Sequence, residues 1–117
     1  MLDKYEQLLC LFYQGDKWKN WPPGMVKGML QRMDELGQLI IDRDEYLHGF
    51  VGWIWADEEQ MAKMERMEAP TANSGTVCVP LFVAADSMRS LLKMKRELRK
   101  KVTHVSKWRK ELFRRVF

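Results

Sequence analysis

Apolar residues recur at three- and four-residue intervals in "LDKYEQLLCLFYQ", where Leu2, Tyr5, Leu8, Leu9 and Phe12 form one stripe. That period predicts an amphipathic helix, closed by Gly15. "DKWKNWPPG" then reads as a rigid extended link, because its Pro pair fixes the backbone, with Trp18 and Trp21 expected to cover the core. A second helix is predicted over "MVKGMLQRMDEL", with Met25, Met29, Leu30, Met33 and Leu36 on one side and Gly37 ending it in the left-handed conformation.

After Gly37 the period becomes extended. "QLIID", the polar turn "RDEY" and the long run "LHGFVGWIWAD" predict two antiparallel strands, and Gly49 and Gly52 inside the second signal a bulge or the close approach of another backbone. "DEEQMAKMERM" predicts a helical turn or two capped by Asp57, with Met61, Met64 and Met67 inward. "EAPTANSG" is a loop, and "TVCVPLFV" is an apolar strand in which Pro80, lacking an N–H, implies a bulge or an edge. From Ser87 to Lys101, Met88, Leu91, Leu92, Leu98 and then Val102 trace an apolar stripe, while Arg89, Lys93, Arg96 and Lys100 trace a basic one. Asp86 or Ser87 is placed to cap this helix. "VTHVSKW" and "LFRRVF" are expected to add short strands. The result is an α/β (α+β) chain, with a mixed, mostly antiparallel sheet flanked by helices.

A length of 117 residues, 46% of them hydrophobic, suits one core, so residues 1–117 are read as a single domain. No run approaches the roughly 18 apolar residues of a membrane span, and acids among the first residues argue against a secretory signal, so a soluble, cytoplasmic protein is expected. Cys10 and Cys78 have neither CxxC spacing nor a nearby His, which excludes a disulfide framework and a zinc site. Charge changes the picture more. Residues 88–117 hold 12 Lys or Arg against Glu97 and Glu111, whereas residues 1–87 hold 8 against 14 acids. A basic end of this kind suits nucleic acid, a nucleotide-like cofactor or an acidic partner chain, or balances the acidic half of its own domain.

Two helices, a Trp-rich strand pair, and a strand leading into a long helix together resemble a shortened acyl-CoA N-acyltransferase (GNAT) architecture. "NWPPGMVKGMLQRMDELGQLIIDRDEYLHGFVGWIWAD" is similar to the toxin-activating lysine acyltransferases, which also carry Asn-Trp-Pro before a helix and an Arg-Asp turn between strands. "MRSLLKMKRELRKKVTHVSKW" is similar to GNAT-like proteins of short-tailed bacteriophages, some of them virion components. The resemblance implies acetyl-CoA or another acyl-CoA as cofactor, its diphosphate held by backbone N–H groups where a strand enters a helix. That place is Ala85, Asp86, Ser87, Met88 and Arg89, with Lys93 one turn on. It implies transfer of an acyl group to an amine, with Glu58 or Glu59 as general base. The chain departs from the family here. Residues 84–89 contain no glycine to let phosphate oxygens near the backbone, and Asp86 sets a negative charge beside a diphosphate. The His and the later-strand acid of the toxin-activating family are also missing, acids at a strand end such as Glu58 and Glu59 are usually solvated turn residues, and His48 and His104 read as structural or surface histidines.

Three expectations follow. One is an acyl-CoA-dependent N-acyltransferase. Another is a non-catalytic protein-binding or virion-assembly component on the same scaffold, in the host cytoplasm or the particle, docking through Arg96, Lys100, Lys107, Arg109 and Lys110 on a protein partner or on its own copies. The third reads Thr103 to Ser106 as the turn of a helix-turn-helix and Lys107 to Arg115 as a DNA-recognition helix. Five Trp and nine Met also suggest a binding surface, although most fall at core-facing positions.

Overall fold

The computed structural model describes residues 3–14, 21–66 and 68–102. Their order is α1 (Lys4–Phe12), α2 (Pro23–Glu35), β1 (Leu39–Arg43), β2 (Leu47–Ala56), α3 (Glu58–Glu65), β3 (Val77–Ala85) and α4 (Met88–Val102). The three strands form one antiparallel sheet in the order β1-β2-β3. This is an α+β fold. The mixed character expected of the sheet rested on residues after Val102, which lie outside the described residues, as do Leu2, Gly15, Trp18, Met67 and His104.

Local chemistry sets the element ends. The Asp3 carboxylate accepts from the Glu6 N–H at the start of α1, and the Asp57 carboxylate from the Gln60 N–H at the start of α3. Pro23 opens α2 where its missing N–H costs nothing. Gly37, at φ 72°, closes α2, with the Gln38 N–H bonded to the Met33 carbonyl at 2.7 Å and the Gly37 N–H to the Asp34 carbonyl at 3.1 Å.

Helices cover both faces of the sheet. On one side Leu8 and Phe12 of α1 and Val26, Leu30 and Met33 of α2 meet Phe50, Ile54, Val79, Leu81 and Phe82. On the other, Met94, Leu98 and Val102 of α4 meet Val51, Trp53 and Cys78. Trp21 closes over the first face, edge to face with Phe82 at 5.8 Å, and the Tyr13 hydroxyl donates to its carbonyl.

Two irregularities decide which side chains face which layer. Between β2 and β3 the pairing steps from Gly52↔Phe82 to Trp53↔Pro80, so Leu81 has no opposite partner. This bulge flips the strand's parity, and Leu81 and Phe82, neighbours in sequence, both point to the α1/α2 face. Pro80 thus occupies both places expected of it, beside a bulge and on the strand that β2 flanks on one side only among the described residues. Between β1 and β2 the pairing steps from Asp42↔Gly49 to Arg43↔Leu47 and skips His48.

Two stripes differ from expectation. In α2, Val26 is buried instead of Met25 and Leu36, which are 36% and 43% exposed. In α4 the buried row is Ser90, Met94, Leu98 and Val102, and Met88 and Leu92 turn to solvent. The row follows a four-residue step because α4 lies close against β2 at Gly49, where only a small Ser90 fits. A Cβ on Gly49 would stand 2.7 Å from Ser90 Oγ and 2.8 Å from the Ala84 carbonyl oxygen.

Candidate functional site

The β3–α4 junction borders a cavity of about 580 Å³ lined by Asp42, Asp44, His48, Asp86, Ser87, Arg89, Ser90 and Lys93. Each element delivers its share for a local reason. Strand parity at the Asp42↔Gly49 pair aims Asp42 at α4, where its carboxylate accepts from Ser90 Oγ at 2.7 Å and from Lys93 Nζ at 2.9 Å. The Asp42 side chain is only 10% exposed, and the Lys93 ammonium, followed by the Ser90 hydroxyl, holds its carboxyl below the usual carboxylate range.

His48 is the residue left over by the β1–β2 bulge, and the bulge re-aims it across the strand ends. Its Nδ1 lies 2.7 Å from Asp86 Oδ2 and its Nε2 2.9 Å from Asp44 Oδ1. The Asp86 N–H donates to the His48 carbonyl at 2.7 Å, so side chain and backbone together tie the β1–β2 turn to the start of α4. The Asp86 carboxylate, then that of Asp44, raises the imidazole above its ordinary value and favours the charged ring. The Tyr46 N–H, then His48, lowers Asp44.

Ser87 Oγ accepts from the Ser90 N–H at 3.2 Å, so Ser87 supplies the cap that the sequence offered to either Asp86 or Ser87. Ala84 and Ala85 are strand residues paired with Phe50 and Gly49. A diphosphate at this junction would meet the Asp86 carboxylate first and would find the Asp86 and Ser90 N–H groups already engaged. These residues do not fit the acyl-CoA group. His48, with a carboxylate on each ring nitrogen, has no free lone pair with which to act as a base while both contacts hold.

The structure separates the two halves of the expected enzyme site. Ala85 to Lys93 gather at one end of the sheet, whereas Glu58 and Glu59 sit in the first turn of α3, beyond the far end of β2, roughly 25 Å of strand away. Both are exposed at a helix N-terminus, where acids stabilise the helix dipole, and Glu59 lies 3.9 Å from Lys63. Asp42, Asp44 and Ser90 escape a reading of the sequence because no local spacing marks them. Only the strand parity and the Gly49 contact bring them together.

A smaller cavity of about 400 Å³ lies between α2 and residues 70–73, lined mainly by Met29, Met33, Leu36, Ile54, Pro70 and Ala72. Gln38 at its base is fully engaged, donating to the Trp53 carbonyl and exchanging hydrogen bonds with Asn73.

The cationic face predicted on the last helix is present from Arg89 to Lys101. α4 carries seven Lys or Arg and a single acid, Glu97. Lys93 pairs with Asp42 and Lys100 with Glu97, whereas Arg89, Arg96 and Arg99 make no ion pair among the described residues. Lys107, Arg109 and Lys110, and the whole helix-turn-helix reading, lie outside the described residues.

Fold and site together define a small α+β protein with a polar, self-paired cluster at one sheet end and a cationic helix beside it. Among the described residues no helix is long and apolar enough to cross a membrane, and no group of three or more His, Cys, Asp or Glu is arranged to hold a metal ion. Comparison with family models, curated proteins and solved structures finds no match.

Proposed function

We propose that this chain is a non-catalytic binding component on a GNAT-like scaffold, which engages a protein partner through the outer face of α4. One observation carries the reading: Asp86, clasped by His48, occupies the place where the resemblance puts a diphosphate. A catalytic junction of that kind presents free N–H groups to an anion, whereas this one presents a carboxylate. The distance from the junction to Glu58 and Glu59 supports the same reading. So do the unpaired guanidinium groups of α4, which offer charge to a partner and have no counter-ion among the described residues. The basic C-terminal residues Lys107, Arg109 and Lys110 extend the surface in sequence.

Thermal unfolding with and without acetyl-CoA tests this. The expected result is an unchanged Tm at saturating acetyl-CoA and no release of free CoA thiol with amine acceptors. A ligand present at a hundredfold its Kd would stabilise by about 2.7 kcal/mol, so a saturable rise of several degrees returns the acyltransferase reading.

A further inference from the structure

Resting on the docking role of α4, we infer that the helix receives an acidic amphipathic helix of another protein, with Leu92 and Met88 as anchors inside a ring of cations. Leu92 is 52% exposed and Met88 67% exposed, and they stand one helical turn apart on the outer face. The side chains three and four positions from Leu92 are Met88, Arg89, Lys95 and Arg96. The surface is therefore an aliphatic centre with basic neighbours, the anatomy of a protein contact with an apolar core and a charged rim. Arg89 and Arg96 lack an ion-pair partner among the described residues, so their charge is available to carboxylates arriving from outside.

Charge complementarity selects the occupant's acids, and the anchors select its form. A helix with two Leu one turn apart, flanked by Glu or Asp, matches the one-turn spacing of Met88 and Leu92. A nucleic-acid backbone satisfies the cations but sets phosphates against two aliphatic side chains. An anionic membrane needs apolar depth, and the apolar row of α4, Met94, Leu98 and Val102, is locked against the sheet. The contact area of one short helix is small, so the complex is expected to be weak and salt-dependent.

Fluorescence anisotropy with a labelled Glu-rich helical peptide carrying two Leu one turn apart tests the inference, with the same peptide bearing Ser for both Leu as control. The 117-residue chain is expected to bind the Leu peptide in low salt and to bind the Ser peptide at least fivefold more weakly. Leu92→Ser is expected to weaken binding by about fivefold, and the Arg89→Glu, Arg96→Glu double variant by about tenfold or more. Thermal melts of each variant show whether it is folded, and Leu92→Gln replaces any variant that is not. Equal binding of the two peptides, absence of binding to the Leu peptide, or its displacement by duplex DNA or by phosphatidylserine vesicles at equal charge each overturns the inference. An acetyl-CoA shift alongside intact peptide selectivity would sink the non-catalytic reading and leave this contact standing, and the reverse pattern would do the opposite.

Discussion

The two faces of the sheet are built from different materials. On the α1/α2 side, Phe12, Phe50 and Phe82 interlock, with Phe12 edge to face on Phe82 at 5.3 Å and 6.2 Å from Phe50, and Trp21 closes the cluster. Both Phe50 and Phe82 are fully buried. Among the described residues, the α4 side has one helix and a thinner apolar layer, in which the buried Trp53 Nε1 has no hydrogen-bond partner. Its sheet end at the start of α4 is polar, held by Asp42, Ser90, Lys93 and His48. One face therefore carries most of the aromatic burial, while the other holds its helix through close backbone approach and charged hydrogen bonds and leaves a basic surface outside. Aromatic packing and exposed positive charge lie on opposite layers.

The largest expected effect tests the first half of that contrast. Phe82→Ala should cost about 3–5 kcal/mol and Met94→Ala about 2–4 kcal/mol, read from denaturant unfolding, because a rigid aromatic cluster collapses less around a hole than a face with a flexible Met. Equal costs would remove the asymmetry.

The two strand glycines sharpen the comparison, since their missing side chains point to opposite faces. A Cβ at Gly49 meets the Ala84 backbone oxygen at 2.8 Å, whereas at Gly52 the nearest atom is Met33 Sδ at 2.6 Å, the movable part of a long side chain. Gly49→Ala should cost about 1–3 kcal/mol and loosen α4, and Gly52→Ala less than half as much. Equilibrium unfolding together with amide exchange in α4 checks this.

The smallest effect is the pH dependence of the His48 clasp. Because the folded pKa of His48 is raised above 6.5, its contribution is complete below about that pH and disappears as pH rises through the higher folded value. The acids that face it behave oppositely: Asp42 and Asp44, both lowered, lose their contribution only as pH falls below 3.8 and through their folded values. Arg89 and Lys93 line the same cavity. His48→Ala should flatten the alkaline side of the Tm profile and weaken the acid side only in part, since the Tyr46 N–H still lowers Asp44 and Lys93 still lowers Asp42. An unchanged profile would mean that the clasp is not a protonated link.

Much of this was legible from residue spacing. The helix ends at Asp57 and Gly37, the turn between β1 and β2, the disturbance around Gly49, Gly52 and Pro80, and the basic row of α4 all arise within a few residues, where turn and cap chemistry operate. The candidate cluster was only half legible. Ala85 to Lys93 stood out as a strand-to-helix junction, but nothing near Asp42 or Asp44 in sequence indicated that they would meet it. The expected apolar row of α4 holds at Leu98 and Val102 and departs in the first turns, where Met88 and Leu92 fit a helical period as well as Ser90 and Met94, two positions on, do.

What the chain determined by itself was periodicity: where helices and strands run, how they are capped, and where charge accumulates. The tertiary structure alone decided parity and facing, through the bulges that skip His48 and Leu81 and through the contact at Gly49 that admits Ser90 and turns Leu92 outward. The physical reason is that a strand's period reads the same from either side. Which side becomes the core is set by register against a partner strand and by how closely a helix can approach, and both depend on residues far away in the sequence.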